Sequence, residues 1–158
     1  MATPLCDPTA WNDGPLVADL AGVHERIPQR YELGLLHGIL HYDAEAKLAI
    51  GFHQSTENDF WVRGHIPGRP LMPGVVMVEA AAQVSAWLSS NLMEQEEGKM
   101  FGFGGVDKVR FRGQVAPGDR ILLVSRIDRM RRALVRFTTQ AFVGDAMVFE
   151  GEIIGVTI

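Results

Sequence analysis

From Val75 to Leu88 the chain runs Val-Val-Met-Val-Glu-Ala-Ala-Ala-Gln-Val-Ser-Ala-Trp-Leu, and few folds accommodate such a stretch. The pattern predicts a helix over residues 75–93. Its apolar residues cover almost the whole circumference, so the helix is expected to be buried on all sides. Glu79 and Gln83 interrupt the run, which is also too short to span a bilayer. An unpaired buried carboxylate costs several kcal/mol even after relaxation. Glu79 therefore marks a place where something other than packing shaped the sequence.

The segment that feeds this helix is of a different kind. Gly64, Pro67, Gly68, Pro70, Pro73 and Gly74 fall between residues 64 and 74. Prolines spaced three apart cannot lie inside a regular helix, so a stiff, extended loop is expected over Asn58–Gly74, and it carries His65. From Met100 onward the period becomes two. Val109 and Phe111 alternate with Lys108, Arg110 and Arg112, and strands are expected over 121–128, 134–143 and 146–158. Pro117-Gly118-Asp119 is a turn signal, and Gly144-Asp145 suits a two-residue hairpin. Gly102-Phe103-Gly104-Gly105 permits a bend or close packing at a strand start. Before the helix, residues 18–27 suggest a short helix, and 33–42 and 47–54 two strands joined at Asp43-Ala44-Glu45. Residues 1–17, with Pro4, Pro8, Gly14 and Pro15, read as an irregular or mobile arm, leaving 18–158 as one domain.

This order describes an α+β arrangement, a curved antiparallel sheet wrapped around one long buried helix, known as the hot-dog fold. Such a sheet leaves an open edge that self-association commonly covers, so a homodimer is expected.

Composition narrows the function classes. The 158 residues are 47% hydrophobic and 22% charged, which suits a globular domain with a real core. A single cysteine, Cys6, excludes an internal disulfide and a zinc–thiolate cluster and fits a reducing, cytoplasmic setting. Residues 1–20 contain three aspartates and no basic residue, unlike a signal peptide. Net charge is −4, yet residues 107–136 hold nine basic side chains against three acidic ones. These arginines line the exposed face of antiparallel strands, or they form a docking surface for an acidic partner. No nucleic-acid recognition motif accompanies them. His37 and His41 are four apart, but on a strand that spacing is ~13 Å, too far for one metal.

His65 and Glu79 are the candidate chemical groups. A histidine has the intrinsic pKa of a neutral-pH base, and a carboxyl in an apolar setting tends to keep its proton. Each also has a plainer reading: His65 as a hydrogen-bonding brace for its loop, Glu79 as a charge favoured by the helix N-terminus. Gln83, four residues after Glu79, shares its helix face and either orients the carboxylate or satisfies a buried carbonyl. Gly74 opens the helix, so its free N–H and the helix dipole can face an anionic oxygen. Phe60, Trp61 and Trp87 suit the core or a tunnel wall.

The run Asn58-Asp59-Phe60-Trp61-Val62-Arg63-Gly64-His65-Ile66-Pro67-Gly68-Arg69-Pro70-Leu71-Met72-Pro73-Gly74, followed by Glu79-Ala80-Ala81-Ala82-Gln83, resembles the signature of the β-hydroxyacyl-acyl-carrier-protein dehydratases. Val106-Asp107-Lys108-Val109-Arg110-Phe111-Arg112 with Pro117-Gly118-Asp119 is similar to a second block of that family, and Pro28-Gln29-Arg30-Tyr31 to its P-H-R-Y. The resemblance implies dehydration of a (3R)-3-hydroxyacyl thioester on acyl carrier protein to the trans-2-enoyl thioester, with no metal or other cofactor. His65 and Glu79 would be the catalytic pair and the Gly74 amide the oxyanion donor, with Gln83, Pro73 and Phe60 supporting the substrate site. It also implies a homodimer, or a trimer of dimers, in which the carboxylate works with the histidine of the other subunit. Arg110, Arg112 and Arg132 would be candidates for docking the acidic carrier. A hot-dog acyl thioesterase and a non-catalytic acyl-binding domain are the alternatives.

Two departures from the family pattern bear on the acyl site. Ile66 stands where the family has Phe, and Pro28–His37 reads P-Q-R-Y-E-L-G-L-L-H instead of P-H-R-Y-P-F-L-L-V-D. Both affect the expected tunnel shape. Glu79, rather than Asp, is similar to the branch that dehydrates without isomerising.

Overall fold

The computed structural model describes residues 2–93, 98–131 and 133–158. Its strands are β1 (Gly38–Asp43), β2 (Leu48–Gln54), β3 (Phe101–Phe111), β4 (Arg120–Arg131), β5 (Leu134–Val143) and β6 (Ala146–Thr157). They form one antiparallel sheet in the order β1-β2-β4-β5-β6-β3. Two helices accompany it, α1 (Leu20–His24) and α2 (Gly74–Leu92). α2 lies against β2 through β6, so the sheet curls around it. This is the expected hot-dog arrangement.

Local chemistry explains most boundaries. Asp19 caps α1 by accepting from the Gly22 amide at 3.0 Å. Asp43 closes the β1–β2 turn by accepting from Ala46 N–H. Val143 pairs with Ala146 around Gly144, whose φ of +59° suits the two-residue hairpin. On β3, a Cβ on Gly104 would lie 2.7 Å from Val156, so that glycine lets β3 pack closely on β6.

Alternation on β4 divides the molecule into two cores. Ile121, Leu123 and Ile127 face α2, together with Ala80, Ala81, Val84, Trp87 and Leu88. Leu122 and Val124 point the other way and join Leu40, Ile50 and Phe142. That outer cluster is roofed by Leu5, Cys6 and Trp11 of the N-terminal segment. Gln140 holds this segment through Leu5 N–H (2.8 Å) and Thr3 C=O (2.9 Å). Burial, followed by the charge of Asp7, pushes the Cys6 thiol up to about 11, which keeps it protonated and unreactive.

Three expectations are corrected. Residues 33–37 are not strand: Tyr31–Leu33 is a 3₁₀ turn, and the Leu35 and Leu36 amides are taken by the Gln83 side chain instead of a neighbouring strand. The loop before α2 is not extended throughout but coils through successive turns, described below. Finally, α2 is not buried on every side. Val75 is 74% exposed. The sheet covers one side of the helix, and among the described residues the face through Val75, Glu79, Ala82, Ala86 and Ser90 is only partly covered. The residues at the C-terminal exit of α2, Glu94, Glu96 and Glu97, lie outside the described residues.

Candidate active site

The start of α2 and the loop before it hold the candidate chemical groups. Loop residues 56–69 fold as linked turns: Asp59 N–H donates to Thr56 C=O, Val62 N–H to Asp59 C=O, His65 N–H to Trp61 C=O and Arg69 N–H to Ile66 C=O. In the last of these, Pro67 and the left-handed Gly68 (φ +81°) occupy the central positions of a type II turn. Trp61, 2% exposed, plugs the loop into the main core. Ile66 has φ of +54°, a region that β-branched residues avoid. Strain of this sort adjoins functional groups often enough to be informative, and here it adjoins His65.

The His65 ring is oriented by its own loop. Nδ1 lies 2.7 Å from the carbonyl oxygen of Leu71 and must donate to it. In a neutral ring this contact puts the lone pair on Nε2, the tautomer that a base requires. The plainer reading of His65 as a brace and the chemical one meet in this single contact.

Glu79 is held from the helix side. Its Oε1 accepts from Gln83 Nε2 at 2.9 Å. The Gln83 amide is itself fully committed: Oε1 accepts from Leu35 and Leu36 N–H at 3.0 and 3.1 Å, and Nε2 also donates to Leu33 C=O at 2.6 Å. Two backbone donors on one side fix which end of the amide faces the carboxylate. Gln83 thus contacts both the Glu79 carboxyl and the Leu33 carbonyl.

Pro73 caps α2 without a side-chain bond, and its carbonyl accepts from Val76 and Met77. Among the described residues the amides of Gly74 and Val75 have no acceptor, as is usual for the first turn of a helix. Gly74 also admits a neighbour: a Cβ there would sit 2.7 Å from the Phe111 ring at the end of β3. Phe60 remains 48% exposed, apart from the buried Trp61 and Trp87.

Within one chain, no hydrogen bond or ion pair joins His65 to Glu79; their polar contacts go to Leu71 and to Gln83. A cavity of about 850 Å³ is lined by neither. It opens farther along the uncovered face of α2, beside Ala86, Ser90 and Met93, opposite Pro28 and Gln29. Ala86 is seven residues beyond Glu79, ~10 Å along the axis.

Among the described residues, four basic side chains of the segment are ion-paired, three of them to residues of other strands. Arg136 pairs with Asp107 and Glu152, Lys108 with Glu152, Arg112 with Glu150, and Arg126 with Asp128. Glu150 and Glu152 come from β6, beyond the segment counted in sequence. Contacts with Lys108 and Arg136 hold the Glu152 carboxyl below its ordinary range. Arg110 donates to the neighbouring Val109 carbonyl, and Arg132 lies outside the described residues. Among the described residues, no group of three or more His, Cys, Asp and Glu side chains is arranged to hold a metal ion.

Sequence reasoning missed one feature of this region. His53 contacts Asp59 at 3.2 Å, and the His37 ring packs on it with centroids 4.6 Å apart. One signal was legible. Thr56-Glu57-Asn58-Asp59 has the spacing of a capping box, and Asp59 does accept from Thr56 N–H. Asp59 lies only six positions after His53, but nothing in that spacing by itself marks the turn that brings the two side chains together.

A six-stranded sheet around one helix, with an uncapped helix start beside an oriented imidazole and a braced carboxyl, places the chain in a class. Residues 27–152 match the FabA-like domain, and the chain belongs to that family. Its relatives include the 3-hydroxyacyl-[acyl-carrier-protein] dehydratase FabZ of Syntrophobacter fumaroxidans, 37% identical over 136 residues, 86% of this chain and 91% of the relative. The protein of the same name from a Roseiflexus species is 42% identical over 127 residues, 80% and 87% of the two chains. Among solved structures, the dehydratase heterocomplex ApeI:P from Xenorhabdus doucetiae matches with a TM-score of 0.71 at 12% identity, covering 86% of this chain and 90% of that one. A thioesterase superfamily member from Thermus thermophilus matches with a TM-score of 0.60 at 20% identity, covering 70% and 80%. Those two likenesses are of fold alone.

Proposed function

We propose that the protein dehydrates (3R)-3-hydroxyacyl chains carried on acyl carrier protein to trans-2-enoyl chains, as in fatty acid synthesis. Its dehydratase relatives support the reaction class. The observation that carries the reading at residue level is the bond from His65 Nδ1 to Leu71 O, which leaves Nε2 as a base. In this reading Nε2 takes the α-proton, and protonated Glu79 gives its proton to the β-hydroxyl. The C–O bond breaks, water leaves and the double bond forms. The unpaired Gly74 amide stabilises the thioester oxygen while charge develops on it. Proton transfer from His65 back to Glu79 resets the site.

The same reading calls for a homodimer. β3 is an edge strand with Phe103 and Phe111 about half exposed, and α2 keeps an uncovered apolar face. A second copy pairing along β3 would cover both and bring one chain's His65 to the other's Glu79. The acyl chain would lie along the uncovered face of α2 towards the cavity beside Ala86 and Ser90. Arg110 or Arg112 would meet the acidic carrier, and the lone cysteine supports a cytoplasmic setting.

No helix among the described residues is long and apolar enough to cross a membrane. The test is turnover of a 3-hydroxyacyl carrier substrate, read as conjugated enoyl absorbance. Formation of free acid without enoyl product would instead indicate a thioesterase, and tight acyl binding without turnover a binding domain.

A further inference from the structure

Beside the start of the His65 loop lies an ionisable cluster, centred on a buried histidine, that the chemistry above does not use. His53 of β2 is 2% exposed. Its Nδ1 lies 2.8 Å from Leu35 C=O and its Nε2 3.2 Å from Asp59 Oδ2. Both neighbours are acceptors. A neutral imidazole has one N–H and can satisfy only one of them, whereas an imidazolium satisfies both. A buried charge is tolerated when it is paired in this way.

Asp59 completes the arrangement by accepting from Ser55 Oγ–H (3.0 Å) and Thr56 N–H (3.2 Å). On the other side, His37 Nδ1 accepts from Gln54 N–H at 3.0 Å, which requires an unprotonated Nδ1. Burial, then the charge of His53, push His37 down to about 4. His37 therefore packs on the His53 ring as a neutral imidazole.

The cluster is wired to the candidate base. The Asp59 carbonyl accepts from Val62 N–H at 3.0 Å, and the next turn ends on His65 N–H, which donates to Trp61 C=O at 2.9 Å. We propose that His53 is a positioning residue for the dehydration: through Asp59 it pins the start of the loop that aims His65. This inference rests on the reading of His65 as the base.

Two isosteres separate the contacts. His53→Asn keeps a donor near Nδ1 for Leu35 and loses the reach to Asp59; His53→Gln keeps the donor to Asp59 and loses Leu35. Misplacement of the base by ~1 Å predicts a kcat loss of ~100-fold in His53→Asn and in Asp59→Ala, with KM within about twofold. His53→Gln should retain the larger share of kcat. Hydrogen exchange should show the Val62 and His65 amides losing protection in His53→Asn and Asp59→Ala, while β4 and β5 stay protected.

Full kcat in Asp59→Ala would overturn the proposal, as would His53→Gln being the worse of the two isosteres. Should His53→Asn fail to fold, Asp59→Ala alone decides, because it alters no core side chain. If wild-type turnover is absent, or His65→Ala is as active as wild type, the reading of His65 fails. The exchange data then still decide whether His53 pins the loop.

Discussion

The two halves of the candidate site are built by opposite means. Glu79 stands on a 19-residue helix whose inner face is buried in the main core, and a single glutamine, tied to three backbone groups, holds its carboxylate. His65 stands on a loop with no regular element, held by linked turns, a left-handed glycine, a strained isoleucine and the His53–Asp59 contact. A helix orients its side chains through its own repeat, so one brace is enough. A loop has no repeat, so every turn needs its own fixative. Sensitivity to substitution should therefore be concentrated at Gln83 on the helix side and spread along the chain on the loop side.

The largest test removes the chemistry from each half. His65→Ala and Glu79→Gln are each expected to lower kcat ~1,000-fold, within the range for a lost general acid or base, with unchanged melting temperature. Undiminished turnover in either would break the pairing of the two halves. Next comes the helix-side brace. Gln83→Leu strands the Leu36 amide and takes one of two partners from the Leu35 amide and the Leu33 carbonyl, which keep their mutual bond, and should lower unfolding stability by about 2 kcal/mol, read by denaturant titration. A loss below about 1 kcal/mol would show that the brace is dispensable.

Gly74→Ala, at the junction of the halves, drives a methyl against the Phe111 ring. Its kcat should fall ~10-fold or more with the fold retained. A fourth test concerns acid. The His37 pKa is pushed down from its ordinary 6.5 to about 4, so the unfolded chain binds a proton in that window that the folded chain refuses. Stability is free of this penalty above 6.5 and falls as pH drops from 6.5 towards 4. In His37→Asn, which keeps an acceptor for Gln54 N–H, this acid slope should flatten; an unaltered slope would assign it elsewhere. The smallest effect belongs to the surface: Arg112→Ala should change stability by less than ~1 kcal/mol, as for an exposed ion pair. An unchanged KM for the carrier substrate would remove Arg112 from the docking surface.

Much of this was legible in local sequence. α2 was visible as a long apolar run, and β2, β4, β5 and β6 in alternation and turn residues. Backbone geometry set by Pro and Gly, and side-chain period, act over a few residues. Residues 33–37 misled because Leu33, Leu35 and Leu36 look like strand, while their backbone groups are claimed by a glutamine some fifty positions away. The partial pairing of the basic segment was not legible because Glu150 and Glu152 sit on a strand that only sheet pairing brings alongside.

By itself, then, the order of residues determined the helix, most of the strands, the turn positions and the identity of the candidate acid, base and oxyanion donor. Tertiary structure decided which strand became the open edge, which face of α2 stayed uncovered, and that Gln83 meets the backbone of Leu33, Leu35 and Leu36. Those outcomes depend on contacts between segments far apart in the chain, whose energies appear only when a curved sheet closes around a helix and chooses what to leave outside.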